Sequence, residues 1–130
     1  MQVKQFEDLE VWKEARVLSK QIYNLTNSDS FNNDWKLRSQ MRDSSGSIMD
    51  NIAEGFERSG NAEFMHFLYI SKGSAGELRS QLHRCLDIGY IDDETYSQKI
   101  RECESVSRKI HSLIKSLKSS NLKGAKYAGR

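Results

Sequence analysis

The sequence predicts an all-α fold, an antiparallel up-and-down four-helix bundle. Three observations predict it. The 130 residues contain no proline, so nothing in the chain forces a helix to stop or kink. Apolar side chains recur at steps of three and four in four separate stretches, which is the spacing of one helical face. The breaks between stretches are short and rich in Ser, Asn, Asp and Gly, and short connections favour antiparallel neighbours.

The first stretch runs from about Asp8 to Thr26. Val11, Ala15, Leu18, Ile22 and Leu25 form its seam, with Trp12 and Tyr23 beside it. The polar run from Thr26 to Ser30 ends it. The second runs from about Asp34 to Glu57. Leu37, Met41, Ile48 and Ile52 share a face, and Ser44 and Ser45 fill the gap in it. Ser59-Gly60-Asn61 marks a turn.

The third stretch runs from about Ala62 to Ile88, with Phe64, Phe67, Leu68, Ala75, Leu78, Leu82, Cys85 and Leu86 on its apolar side. Asn61 is placed to cap its first turn, and Gly89 to stop it. The fourth begins after Asp92, a good N-cap, and carries Tyr96, Ile100, Cys103, Val106, Ile110, Leu113, Ile114 and Leu117 to about Ser119. Residues 1–119 are thus expected to form one bundle domain, and residues 120–130 a basic, disordered tail.

Composition bounds the function. Apolar residues make up 37% of the chain and charged residues 29%, which suits amphipathic helices with one buried stripe each. Net charge is +2, so charge alone does not call for a nucleic-acid partner. Its distribution says more. Lys115, Lys118, Lys123, Lys126 and Arg130 fall in a final segment with no acid, which leaves the rest of the chain at −3. Cys85 and Cys103 lack metal-type spacing and read as reduced, partly buried thiols. No apolar run reaches membrane-spanning length, and the polar N-terminus lacks a signal core, so a cytoplasmic location with no membrane contact is expected.

Small residues interrupt the helical patterns. Gly46, Gly55, Gly73 and Gly76 fall inside them, and each interior glycine costs about 1 kcal/mol relative to alanine. Close approach of two helices is the expected reason.

The stretch from Ser47 to Arg58, Ser-Ile-Met-Asp-Asn-Ile-Ala-Glu-Gly-Phe-Glu-Arg, is the most distinctive in the chain. It resembles the SIxxNIAEGxxR signature of the 23S ribosomal-RNA intervening-sequence proteins. Asp8-Leu9 followed by Val11-Trp12 is similar to that family's opening, and Ile22-Tyr23 to the end of its first helix. Gly73-Ser74-Ala75-Gly76-Glu77-Leu78 resembles its GSxxEL element, and Gly89-Tyr90-Ile91 its last turn. The resemblance spans roughly residues 6 to 117. Two departures are visible: Ser30-Phe31-Asn32 stands where the family usually has Phe-Pro, and Asp43-Ser44-Ser45-Gly46 replaces an alanine-rich stretch. The resemblance implies a left-handed bundle that assembles as a homopentamer. A related group, the accessory proteins of diversity-generating retroelements, forms pentamers that bind nucleic acid and a reverse transcriptase.

The chemistry-bearing residues point away from catalysis. Asn51, Glu54, Ser74 and Glu77 can meet if the second and third helices pack antiparallel, and read as a structural polar network fixing register. Glu63 and His66 have the Glu-x-x-His spacing of di-iron bundles, but that site needs a second such pair, and the chain has none. No nucleophile–base pair, phosphate loop or metal cluster is present, so neither an enzyme nor a cofactor is expected.

The expected function is a non-enzymatic, oligomeric module binding RNA or DNA. Its phosphate contacts would come from Lys36, Arg38, Arg42, Arg58, Arg79 and Arg84, repeated around a symmetric ring. The alternative is a scaffold that docks a partner protein on the ring surface, with Trp12, Trp35 and Phe56 as its anchors if they are exposed after assembly.

Overall fold

A computed structural model describes residues 3–122, which form four α-helices and two 3-10 turns, with no strand among them. The helices are α1 (Glu10–Thr26), α2 (Trp35–Glu57), α3 (Asn61–Asp87) and α4 (Asp93–Leu122). The 3-10 turns, Phe6–Asp8 and Asp29–Phe31, precede α1 and α2.

Contacts between helices run in opposite sequence directions. Along α2 and α3, Met41 meets Cys85, Ser47 meets Ser74 and Gly55 faces Phe67. Glu14 with Ser105 and Gln21 with Lys99 relate α1 to α4 in the same way. His83 with Tyr96 and Tyr69 with Lys118 do so for α3 and α4. The chain therefore goes up and down, each helix antiparallel to the next.

The seams expected from the spacing form the core. Ala15, Ile22, Met41, Ile48, Ile52, Leu68, Leu78, Leu82, Val106 and Ile110 are fully buried. Each large apolar side chain so buried is worth about 1.5–3 kcal/mol relative to exposure. Ser44 and Ser45 occupy the core face of α2 as expected, and Ser71 on α3 donates from its Oγ to the Ile48 carbonyl at 2.7 Å. Trp12 and Phe56 are core residues as well. Trp12 packs edge-on against Phe6 and Phe56 edge-on against Phe64, so neither is a surface anchor.

The helix ends follow from local chemistry. Asp34 caps α2, its Oδ1 accepting from the Leu37 N–H at 3.2 Å, while its Oδ2 accepts from the Tyr90 hydroxyl at 2.9 Å. That second bond ties the start of α2 to the α3–α4 turn and raises the Tyr90 phenol above its ordinary range. Phe31, in the 3-10 turn before α2, belongs to the core. It is fully buried and lies 5.0 Å from the Tyr90 ring.

At the end of α3, Gly89 has φ +79°, and the Tyr90 and Gly89 N–H groups bond to the carbonyls of Cys85 and Leu86. This is a Schellman stop, which needs a residue free to enter the left-handed region. Asp92 caps α4 through a 2.8 Å bond from the Thr95 N–H, and that bond holds its carboxyl below the usual range.

Two boundaries differ from expectation. At the start of α3 the cap position is Gly60, at φ +92°, and Asn61 is the first helical residue. Helix α4 continues to Leu122, past the expected end at Ser119, because Ser120 is still buried against the bundle. Of the expected tail, residues 123–130 lie outside the described residues.

Candidate nucleic-acid interface

Six residues were expected to contact phosphate, and the structure distributes them unequally. Arg38 and Arg42 are committed to the fold. The Arg38 Nε donates to the Thr26 carbonyl at 2.9 Å, and the Arg42 Nε to the Thr26 Oγ1 at 2.9 Å. The Arg42 guanidinium also lies 3.8 Å over the Tyr23 ring. Together they clamp the end of α1 to α2. Arg58 pairs with Glu54 at 2.8 Å and Glu63 at 3.4 Å, and stacks on Phe67. Arg84 reaches the Gln40 Oε1 at 3.5 Å, and Lys36 is exposed near the start of α2.

Arg79 has different surroundings. It lines a groove between α3 and α4 together with Lys72, Glu104, Arg108 and His111. Helical periodicity places them there. Lys72 and Arg79 are seven apart on α3, and Glu104, Arg108 and His111 step by four and three on α4, so each set shares one face. The groove encloses about 610 Å³. Among the described residues Lys72, Arg79 and Arg108 form no ion pair, and Glu104 is the only acid in the lining. A smaller hollow shares Lys72 and Arg79 and is also lined by Tyr69, a residue 48% exposed with the Lys118 Nζ over its ring, 5.6 Å from the centre. Cations beside an open aromatic face can hold phosphates while a base stacks.

Sequence reasoning missed Lys72, Tyr69 and His111. The seven-residue spacing of Lys72 and Arg79 was a readable signal. Which faces of α3 and α4 border a common groove was not.

The expected polar network forms in part. Asn51 Nδ2 donates to the Ser47 carbonyl and to the Ser47 Oγ, each at 2.8 Å, and the Ser47 Oγ lies 2.9 Å from the Ser74 Oγ. Asn51 and Ser74 thus join α2 to α3 through Ser47. Glu54 is not in the network, because it turns outward to Arg58. Glu77 lines a second groove on the α2–α3 face.

The glycines also divide. A Cβ on Gly55 would lie 2.7 Å from the Phe67 Cβ, so this signature glycine lets α2 and α3 approach closely. A Cβ on Gly46, Gly73 or Gly76 would meet nothing within 4 Å, so close packing inside the chain does not explain those three.

Among the described residues no three potential metal ligands cluster; Glu63 pairs with Arg58, and the exposed His66 ring lies edge-on to Phe67. Burial pushes the Cys85 thiol up to about 11 and the Cys103 thiol to about 12, so both stay protonated. Cys85 contacts the Met41 sulfur at 3.4 Å. No helix in the described residues is long and apolar enough to cross a membrane.

Comparison with known proteins agrees with this architecture. A family model described as 23S rRNA-intervening sequence protein matches residues 7–112. Among solved structures, a protein of unknown function from the S23 ribosomal protein family of Bacteroides thetaiotaomicron is similar. Its TM-score is 0.74 at 25% identity, over 81% of this chain and 98% of that one. None of the curated proteins compared with the chain matches it.

Proposed function

Since the chain belongs to the 23S rRNA-intervening sequence protein family, we propose that it is a non-enzymatic module that binds RNA or DNA along its α3–α4 face. One observation carries the reading: Lys72, Arg79, Arg108 and His111 line a single groove, and Lys72 and Arg79 also line the hollow that holds Tyr69. The contacts are to phosphates, with Tyr69 as a stacking platform and no side chain set up to read base edges. The family resemblance adds self-assembly to this reading, as a homopentamer that repeats the groove around a ring and multiplies weak contacts.

The test separates the groove from the rest of the basic surface. Nuclease-treated protein is mixed with labelled single-stranded RNA in a gel-shift titration. Reversing Arg79 and Arg108 to glutamate abolishes the shift, whereas Lys36→Glu weakens it little. Equal losses from both changes refute a localised interface. Light scattering on the same samples reports the subunit number.

A second reading is favoured by Trp35, which is 70% exposed at the start of α2, with Ile88 53% exposed at the end of α3. These two apolar side chains, at the end of the bundle where Asp34 bonds Tyr90, suit a protein partner. A partner retained after nuclease treatment and lost with Trp35→Ser favours this reading.

A further inference from the structure

The basic lining of the α3–α4 groove continues past it in both directions. On α3, Tyr69, Lys72, Gly76, Arg79 and His83 step by three and four, and on α4 so do Arg101, Glu104, Arg108, His111, Lys115 and Lys118. Steps of that size keep each set on one helical face. The groove is lined by the middle of both sets, Lys72 and Arg79 against Glu104, Arg108 and His111. Two contacts fix the ends of the pairing. Tyr69 lies under the Lys118 Nζ at one end, and at the other the His83 ring sits edge-on to Tyr96 with centroids 5.2 Å apart. The two faces thus form one track along the bundle. From Arg101 to Lys118 it runs about 25 Å, at about 1.5 Å per residue.

The charge of the track is one-sided. Lys72, Arg79, Arg101, Arg108, Lys115 and Lys118 form no ion pair among the described residues, and Glu104 is the only acid in the two sets. Gly76 carries no side chain, and a Cβ there would meet nothing within 4 Å, so the floor between Lys72 and Arg79 is open. Aromatic rings stand at the two ends. Tyr69 is 48% exposed, and His83 is exposed beside the half-buried Tyr96. Beyond Tyr96 the sign of the surface changes: Asp92, Asp93 and Glu94 are all exposed at the start of α4 and repel phosphate, which ends the track there.

We propose that the track takes a single strand of RNA or DNA of about four nucleotides or more, with one base stacked at Tyr69 and another at His83. The phosphates between them pass the cations of both helices. This rests on the nucleic-acid reading of the groove and goes beyond it in the form of the ligand, its span and a second stacking platform. A duplex keeps its bases paired inside, reaches only the cations, and binds less tightly.

The test is fluorescence anisotropy on nuclease-treated protein. The probes are labelled RNA strands of two, four, six and eight nucleotides and a closed RNA hairpin duplex. Affinity should rise steeply from two to about six nucleotides and then level off, and the longest strand should bind about tenfold more tightly than the duplex. Tyr69→Ala and His83→Ala should each weaken binding of the longest strand by about fivefold or more. His83→Phe, which keeps a ring, should restore it, and the melting temperatures of all three variants should stay near the parent's. Duplex bound as tightly as single strand, or His83→Ala without effect, overturns the proposal and leaves the phosphate contacts of Arg79 and Arg108 standing. Failure to bind any of the probes overturns the groove reading and this proposal with it.

Discussion

Alanine at Gly55 and alanine at Gly73 add the same methyl group to a helix interior, and they should change stability in opposite directions. At Gly73 the new Cβ meets nothing within 4 Å, so the helix-propensity gain of about 0.5–1 kcal/mol is realised in full. At Gly55 it would lie 2.7 Å from the Phe67 Cβ, 3.1 Å from the Phe64 Cδ1 and 3.2 Å from the Phe64 carbonyl oxygen. The nearest of these atoms is fixed to the α3 backbone, so no side-chain rotation relieves the clash, and α2 and α3 must move apart. Overpacking of this kind costs about 1–3 kcal/mol, against which the same propensity gain is set, for a net loss of about 1–2 kcal/mol. Urea unfolding followed by far-UV circular dichroism reads both. With an m-value of about 2 kcal/mol per molar, the Gly55→Ala midpoint falls by about 0.5–1 M and the Gly73→Ala midpoint rises by about half that. Adding Phe67→Ala does not rescue Gly55→Ala, because the alanine keeps the offending Cβ. A Gly55→Ala protein as stable as the parent would refute the close-approach argument.

Two further substitutions probe the polar contacts. Thr26 is fully buried, donates to the Ile22 carbonyl at 2.8 Å and accepts from the Arg42 Nε. Thr26→Val keeps the shape and leaves the Arg42 Nε unpartnered, which should cost about 1–2 kcal/mol in the same urea assay. Glu14 on α1 is pulled in two directions. Partial burial raises its carboxyl, but bonds from Lys109 and Ser105 and the charges of Lys109 and Arg108 outweigh this and hold it below the ordinary value. A depressed folded-state value means that the contribution is present above the unfolded value of about 4.3 and is lost as pH falls through the folded one. Glu14→Gln should therefore be less stable than the parent at pH 7, and the gap should narrow as pH falls below the unfolded value. A gap unchanged across that range would show that the α1–α4 contact does not depend on the charge.

The fold was legible because it is written in spacing. Ala15, Ile22, Met41, Ile48, Leu78 and Ile110 are buried where their steps of three and four place them. Two of the helix boundaries, the stop at Gly89 and the start at Asp92, are legible in residue type alone. The site was less legible, for a physical reason. A helical pattern says which residues share a face but not which neighbouring face they meet. Arg42 reads as a surface cation until Thr26 and Tyr23 are brought beneath it. Trp12 and Phe56 read as surface anchors until Phe6 and Phe64 close over them. Lys72 and His111 are 39 residues apart in sequence and become neighbours only when α3 and α4 pair.

The most direct test of the phosphate-groove account is the salt dependence of binding. Fluorescence anisotropy with a labelled single-stranded RNA is measured from low to moderate salt, for the parent and for Arg79→Gln with Arg108→Gln. Each phosphate contact contributes about 0.7 to the slope of log affinity against log salt, so removing two should flatten it by about 1.4. A slope near zero in the parent, or one that both glutamines leave unchanged, would contradict the account.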